Sequence, residues 1–178
     1  ISNGIPKRMN DIDYINYISN AEIQSKIHDN KINETDMTLI DKFPQIKIPN
    51  KFFRNTGNLA FSDEEKSIGD NRSTFSNGAV YADFDNDGDL DVVVSNINES
   101  ALIYQNRTSE TKPTSSFHIK LKGMPGNLDA VGAKVVLYSG NEIKLYEKYP
   151  VHGFLSSMEG PMHIGIDSAR IDSAFLIW

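Results

Sequence analysis

The chain has 178 residues, 39% of them hydrophobic and 24% charged, a formal net charge of −6 and no cysteine. That is the size of one ordinary domain or two small ones, without disulfides, a thiolate nucleophile or a Cys-type zinc site. Apolar runs reach only the length of Ala174–Trp178, far below the ~20 residues of a spanning helix, so no transmembrane segment is expected. The acidity is local: Asp83, Asp85, Asp87, Asp89 and Asp91 carry five of the negative charges with no cation among them, which leaves −1 for the remainder. A near-neutral remainder with scattered Lys and Arg offers no basic stripe, so nucleic acid is not an expected partner.

The chain starts at Ile1 with neither Met nor a signal peptide and stops at Trp178 within an apolar stretch, and the expectation is a piece excised from a longer protein. Residues 10–43 are expected to be helical. Ile12, Ile15, Ile18, Ile23 and Ile27 recur every three to five residues, Ser19 with Glu22 has the form of a capping box, and a second short helix is expected over Asp36–Phe43. From Lys51 the pattern changes to short β-prone runs punctuated by Gly, Asn and Asp. Strands are predicted at Lys51–Asn55, Leu59–Asp63, Gly78–Phe84, Leu90–Ser95 and Ala101–Gln105. Thr108–Ser116 reads as a polar linker, followed by strands at Phe117–Leu121, Ala133–Tyr138, Ile143–Tyr149, Met162–Ile166 and Ile171–Trp178, with no helix expected among them.

The stretch Asp83-Phe84-Asp85-Asn86-Asp87-Gly88-Asp89-Leu90-Asp91 places carboxylates at loop positions 1, 3, 5 and 9 and glycine at position 6. A hard cation that needs six to eight oxygens is served by such spacing, with alternate side chains turned inward, a backbone carbonyl at position 7 and glycine at the sharp turn. Asp83, Asp85, Asp87 and Asp91 are the expected side-chain ligands, and Asp89 would supply its carbonyl with its side chain facing solvent. An EF-hand would have a bidentate Glu where this chain has Val94, and helices where it has alternating Val80, Ala82, Phe84 and Leu90, Val92, Val94. The expected site is therefore a β-loop-β turn, with Ca²⁺ favoured over Mg²⁺ by the number of protein oxygens. The competing reading is a solvated acidic hairpin turn, since Asp, Asn and Gly are ordinary turn residues. Mutual repulsion among five aspartates without a counter-ion weighs against it.

These residues carry a resemblance. Phe75–Asn96, FSNGAVYADFDNDGDLDVVVSN, resembles an FG-GAP or VCBS-type repeat, the calcium-loop unit of integrin-like β-propeller blades. Ile48–Phe61 resembles the outer strands of a preceding blade, and Ile1–Tyr14 the exit from an earlier one followed by a helical insertion. Asn127–Trp178 resembles the ASPIC/UnbV module of cartilage acidic protein relatives and of Bacteroidetes-type surface proteins. It does so through Asp129-Ala130-Val131-Gly132-Ala133-Lys134, Gly153-Phe154-Leu155-Ser156-Ser157, His163-Ile164-Gly165-Ile166 and Ile177-Trp178. With one full acidic loop the chain would hold about one and a half blades. Asn55–Leu59 has no acidic series and no metal is assigned there.

Other residues support function weakly. His28, His118, His152 and His163 lie far apart and form no H-x-x-x-H pair, so zinc has little support and each is expected to be structural. His163 in particular is expected as a half-buried imidazole bonded to a neighbouring strand. Ser156, Asp167 and His152 could be drawn as a triad, a trio that any chain of this size offers. Tyr14, Tyr17, Tyr138, Tyr146 and Tyr149 could stack on sugars, but aromatics on strands are favoured for packing alone.

The resulting expectation is a mainly β chain with two parts: residues 1–110, partial β-propeller blades with a helical insertion over about 10–43, and residues 115–178, a small all-β ASPIC/UnbV-like module. Its expected role is that of a non-catalytic, extracytoplasmic calcium-binding module, at the cell surface, secreted or periplasmic, for adhesion or interaction with a protein or carbohydrate. Self-association through open sheet edges is expected as well. The alternative is an accessory region of a larger glycan-processing or hydrolytic enzyme.

Overall fold

The computed structural model describes residues 12–36, 45–112, 115–166 and 170–178, apart from the side chain of Asp13. The chain is mainly β, and its described residues fall into two compact units. The first holds the described residues up to Asn77 together with Asn96–Ser100, and the second holds Gly78–Ser95 with the described residues from Ala101 onward.

In the first unit the isoleucine-rich stretch forms two helices, α1 (Ile12–Ile18) and α2 (Ala21–His28), instead of one continuous run. The break follows from local capping. Asn20, and not Ser19, is the N-cap of α2: its backbone is extended and its side chain accepts from the Glu22 N–H at 2.9 Å. Lys26 reaches Glu22 at 3.1 Å and Asp36 at 2.8 Å, and the Tyr17 hydroxyl donates to the Asp36 carbonyl at 2.6 Å. The expected helix over Asp36–Phe43 lies outside the described residues except at Asp36, where residues 34–36 are helical. Farther along, β1 (Phe53–Gly57) and β2 (Ala60–Asp63) form an antiparallel hairpin with a bulge between Asn55 and Gly57. β1 begins two residues later than the sequence pattern suggested, and Asn58 and Leu59 take the turn with positive φ.

The second unit carries four small sheets among the described residues. β3 (Ser76–Ala82), which starts at the end of the first unit, β4 (Asp91–Asn96) and β5 (Leu102–Tyr104) form a meander in that order. The acidic stretch is the connection between β3 and β4. Beyond β5 the expected linker holds a helical turn, Thr108–Thr111, and β6 (Ser115–Ile119) begins two residues before the predicted strand.

β7 (Lys134–Ser139) is the centre of a second sheet, flanked by β8 (Glu142–Glu147) and β12 (Ser173–Ile177), while β6 pairs antiparallel with β11 (Met162–Ile166). Alternation decides which residues turn inward. Val135 and Leu137 of β7 meet Met162 and Ile164 of β11, with Phe117, Ile119, Leu121, Tyr146 and Ile171 packed around them. Ile164 is fully buried. A small hairpin of β9 (Val151–Gly153) and β10 (Ser156–Ser157), which the sequence pattern did not show, completes the unit. Ser156 is buried there, and its hydroxyl accepts from the Ala79 N–H at 2.9 Å and donates to the Phe154 carbonyl at 2.8 Å.

Candidate metal centre

The loop between β3 and β4 is built by its own carboxylates. Asp83 accepts from the N–H groups of Asp87 at 3.2 Å and Gly88 at 3.1 Å, which folds residues 83–88 into a tight ring. That ring needs two left-handed backbones, Asn86 at φ 60° and Gly88 at φ 91°, and Asn and Gly are the residues that adopt them at least cost. Asp87 Oδ1 accepts from the Asp89 N–H at 2.9 Å. Asp91, almost fully buried, closes the loop by accepting from the N–H groups of Phe84 at 3.1 Å and Asn106 at 2.7 Å.

The surroundings also supply donors. Gln105 donates through Nε2 to Asp85 at 2.7 Å, and Ser109 donates through its hydroxyl to Asp87 at 2.8 Å. The Ser109 N–H donates to the Asp89 carboxylate. All five aspartates thus accept hydrogen bonds, so the acidic loop is a compensated structure and the repulsion inferred from spacing alone is partly offset. The bonds to Asp89 N–H and then to Ser109 hold the Asp87 carboxyl below its ordinary pKa.

The structure brings Asp83, Asp85 and Asp87 together: one carboxylate oxygen from each lies within 4.8 Å of the others. Asp83 is half-buried, while Asp85 and Asp87 are exposed. Three convergent hard oxygens fit a divalent cation, because a carboxylate oxygen that accepts one N–H retains lone-pair capacity for a metal. Asp91 stands apart from this trio, as the two N–H groups on its carboxylate make it the lock of the loop. Asp89 departs from expectation: its side chain is buried and bonded to Ser109, not turned to solvent, because the turn over Thr108–Thr111 covers it.

Beside the loop lies a cleft of about 720 Å³. Tyr81, Phe84, Tyr146, Tyr149, His152 and His163 line it, together with Lys148 and Glu159, which pair at 3.1 Å. Of the tyrosines considered for sugar stacking, Tyr146 and Tyr149 reach this cleft. Tyr138 instead stacks edge-on against Phe175, and Tyr17 holds Asp36. The Tyr81 hydroxyl lies 3.2 Å from His152 Nδ1.

The drawn triad gains no support from this geometry. Ser156 and His152 are occupied as described, and Asp167 lies outside the described residues. His163 is half-buried and bonded to the neighbouring strand, as expected, and the partner that the sequence did not reveal is His118: His118 Nε2 and His163 Nδ1 face each other at 3.0 Å across the β6–β11 ladder.

Comparison with known families agrees with the motif residues. Residues 47–94 match the FG-GAP-like repeat and residues 123–178 match the ASPIC and UnbV family. The chain thus matches an FG-GAP-like repeat followed by an ASPIC/UnbV region in that order, and its short antiparallel sheets are consistent with partial propeller blades. No curated protein matches it. Among the described residues no helix is long and apolar enough to cross a membrane.

Proposed function

We propose that this chain is a non-catalytic, extracytoplasmic module in which Ca²⁺ bound by the Asp83–Asp91 loop stiffens the β3–β4 hairpin and the adjoining surface engages a protein or glycan. The convergence of Asp83, Asp85 and Asp87 on a ring closed by Gly88 carries this reading. Asp91 and Asp89 complete the site as the residues that lock the loop, the former buried between two N–H donors and the latter tied to Ser109. Carboxylates and backbone carbonyls are hard donors, and a loop that can supply many of them favours Ca²⁺ over the smaller Mg²⁺, which retains its waters. The repeat and module types support a location outside the cytoplasm. The aromatic cleft beside the loop supports the interaction role, since Tyr149 and Phe84 present exposed ring surface to it.

The test is thermal unfolding of the chain and of Asp87→Ala, each in excess EGTA, in millimolar Ca²⁺ and in millimolar Mg²⁺. Wild type should gain stability in Ca²⁺ more than in Mg²⁺, and Asp87→Ala should gain little. Equal melts of wild type in EGTA and Ca²⁺ would reduce the loop to a hydrogen-bonded acidic turn. A glycan array run in Ca²⁺ and in EGTA then tests the interaction role, with Ca²⁺-dependent retention as the expected result.

A further inference from the structure

The sequences of β6 and β11 contain the same short pattern: Phe117-His118-Ile119 and Met162-His163-Ile164. In the antiparallel register His163 stands directly opposite His118. The neighbours of each histidine belong to or pack against the core, so strand alternation turns both imidazoles to the other face, where they line the cleft. Facing nitrogens, Nδ1 of His163 and Nε2 of His118, are 3.0 Å apart, and the rings meet edge-on with centroids 4.9 Å apart.

We propose that His118 and His163 form a two-imidazole site for a borderline transition-metal ion of the Zn²⁺, Ni²⁺ or Cu²⁺ class, separate from the carboxylate loop. Two nitrogens bound tetrahedrally at about 2.0–2.1 Å from one metal lie roughly 3.3 Å apart, so the existing spacing needs only a few tenths of an ångström of adjustment. Imidazole suits these ions, whereas Ca²⁺ and Mg²⁺ prefer oxygen. The protonation is also favourable. A neutral imidazole carries one proton on two nitrogens, so moving it to the outer nitrogen of each ring presents both inner lone pairs to the metal with no net ionisation.

Burial, and then the neighbouring His118, push the pKa of His163 down, while the Asp83 and Asp89 carboxylates act on it in the opposite sense. Two protein ligands leave the remaining coordination positions open toward the cleft, for water or for a small anionic or nitrogen ligand.

The experiment is calorimetric titration of tag-free full chain with Zn²⁺ in saturating Ca²⁺, which fills the carboxylate loop, together with the electron paramagnetic resonance spectrum of bound Cu²⁺. One Zn²⁺ per chain is expected. His118→Asn and His163→Asn should each weaken it by about 100-fold, at the top of the range that even outer-shell changes produce. His28→Asn, on the exposed end of α2, should leave it unchanged, and the Cu²⁺ spectrum should carry the splitting of two nitrogen ligands. Zn²⁺ binding that persists in both the His118 and His163 variants, that disappears in His28→Asn, or that is absent from wild type overturns the proposal. So does a Cu²⁺ spectrum with oxygen ligands only, a result that stands even if a histidine variant fails to fold. Because Ca²⁺ is saturating throughout, failure here leaves the calcium reading of the loop intact.

Discussion

The Ser109 hydroxyl donates to Asp87 Oδ2 at 2.8 Å, which ties the helical turn after β5 to the middle of the acidic loop twenty-two residues away in sequence. The same residue's N–H serves Asp89, so one serine braces two neighbouring carboxylates. The loop is thereby held near a fixed geometry by protein donors alone. Ligand ordering should then cost less than in a loop whose carboxylates are unsupported.

Asp87 should titrate below its ordinary value of 3.8 in the metal-free chain, first because it accepts from the Asp89 N–H and second because it accepts from Ser109. A depressed folded-state pKa contributes stability that is present above the unfolded value and is lost as pH falls through the folded one. Metal-free stability should therefore decline on acidification below about pH 4. Ser109→Ala should raise the Asp87 midpoint without restoring 3.8, since the stronger bond from Asp89 N–H remains. Carboxyl-carbon NMR in EGTA reads both midpoints, and a wild-type value at or above 3.8 refutes the assignment.

The calcium affinity should fall in the range of extracellular modules, with Kd of about 10⁻⁴ to 10⁻³ M, because Asp85 and Asp87 are exposed and ligand desolvation is incomplete. At free Ca²⁺ one hundred times Kd the folded state gains about 2.7 kcal/mol by mass action. Calorimetry measures the constant directly. A nanomolar value would mean a far more rigid and enclosed site than this loop provides.

Gly78 should resist substitution. A Cβ there would sit 2.3 Å from the Leu155 carbonyl oxygen, a backbone atom that cannot swing aside. Gly78→Ala should cost about 1–3 kcal/mol, as overpacked interiors do. Gly165→Ala is the matched control, since a Cβ at Gly165 meets nothing within 4 Å and its backbone is unstrained. Urea unfolding in fixed Ca²⁺ compares them, and equal midpoints would show that the β9–β10 hairpin yields to the added methyl.

Ile164 is fully buried among Val135, Leu137 and Met162, so Ile164→Ala should lose about 2–5 kcal/mol through lost burial and a residual cavity. Ile143 lies on β8 with 65% of its surface exposed, and Ile143→Ala should stay within about 0.5 kcal/mol. A loss at Ile143 equal to that at Ile164 would place the core on the wrong face of the β7–β8 sheet.

Most of the strand positions could be read from alternation, because Val135, Leu137, Met162 and Ile164 repeat at two-residue intervals and a half-buried strand requires that period. Element ends shifted by a residue or two where turn chemistry prevailed over β propensity, as at Asn58 and Leu59. The Asp83–Asp91 spacing pointed to the cluster of Asp83, Asp85 and Asp87, since carboxylates contributed by one short loop leave their signature in one short stretch. The function of Asp89 was hidden, because its partner Ser109 is twenty residues away and lies in a segment that reads as a linker. The His118–His163 pair was hidden for the same reason: proximity there is set by the β6–β11 register, forty-five residues apart. The matching F-H-I and M-H-I triplets were the available signal, as two identical alternations that pair in register must place their central residues on one face.

Self-association should occur through the β1–β2 hairpin. Among the described residues it is a two-stranded sheet, so each strand has one edge without a paired neighbour in that sheet. Phe53 stands opposite Asp63 and Asn55 opposite Phe61, a register that puts both phenylalanines on one face, where they are 62% and 61% exposed. Exposed aromatic surface beside open edges is a template for pairing with a second copy, by strand addition at the edge or by stacking of the faces. Sedimentation velocity over a wide concentration range should show a concentration-dependent shift toward dimer. Phe53→Ser with Phe61→Ser should suppress that shift if the faces carry it, whereas Asp63→Pro, which removes an outward-facing N–H of β2, should suppress it if the β2 edge does. A single monomeric species at the highest concentration would mean that the charged groups around the hairpin, Lys51, Arg54, Asp63 and Glu64, already guard it.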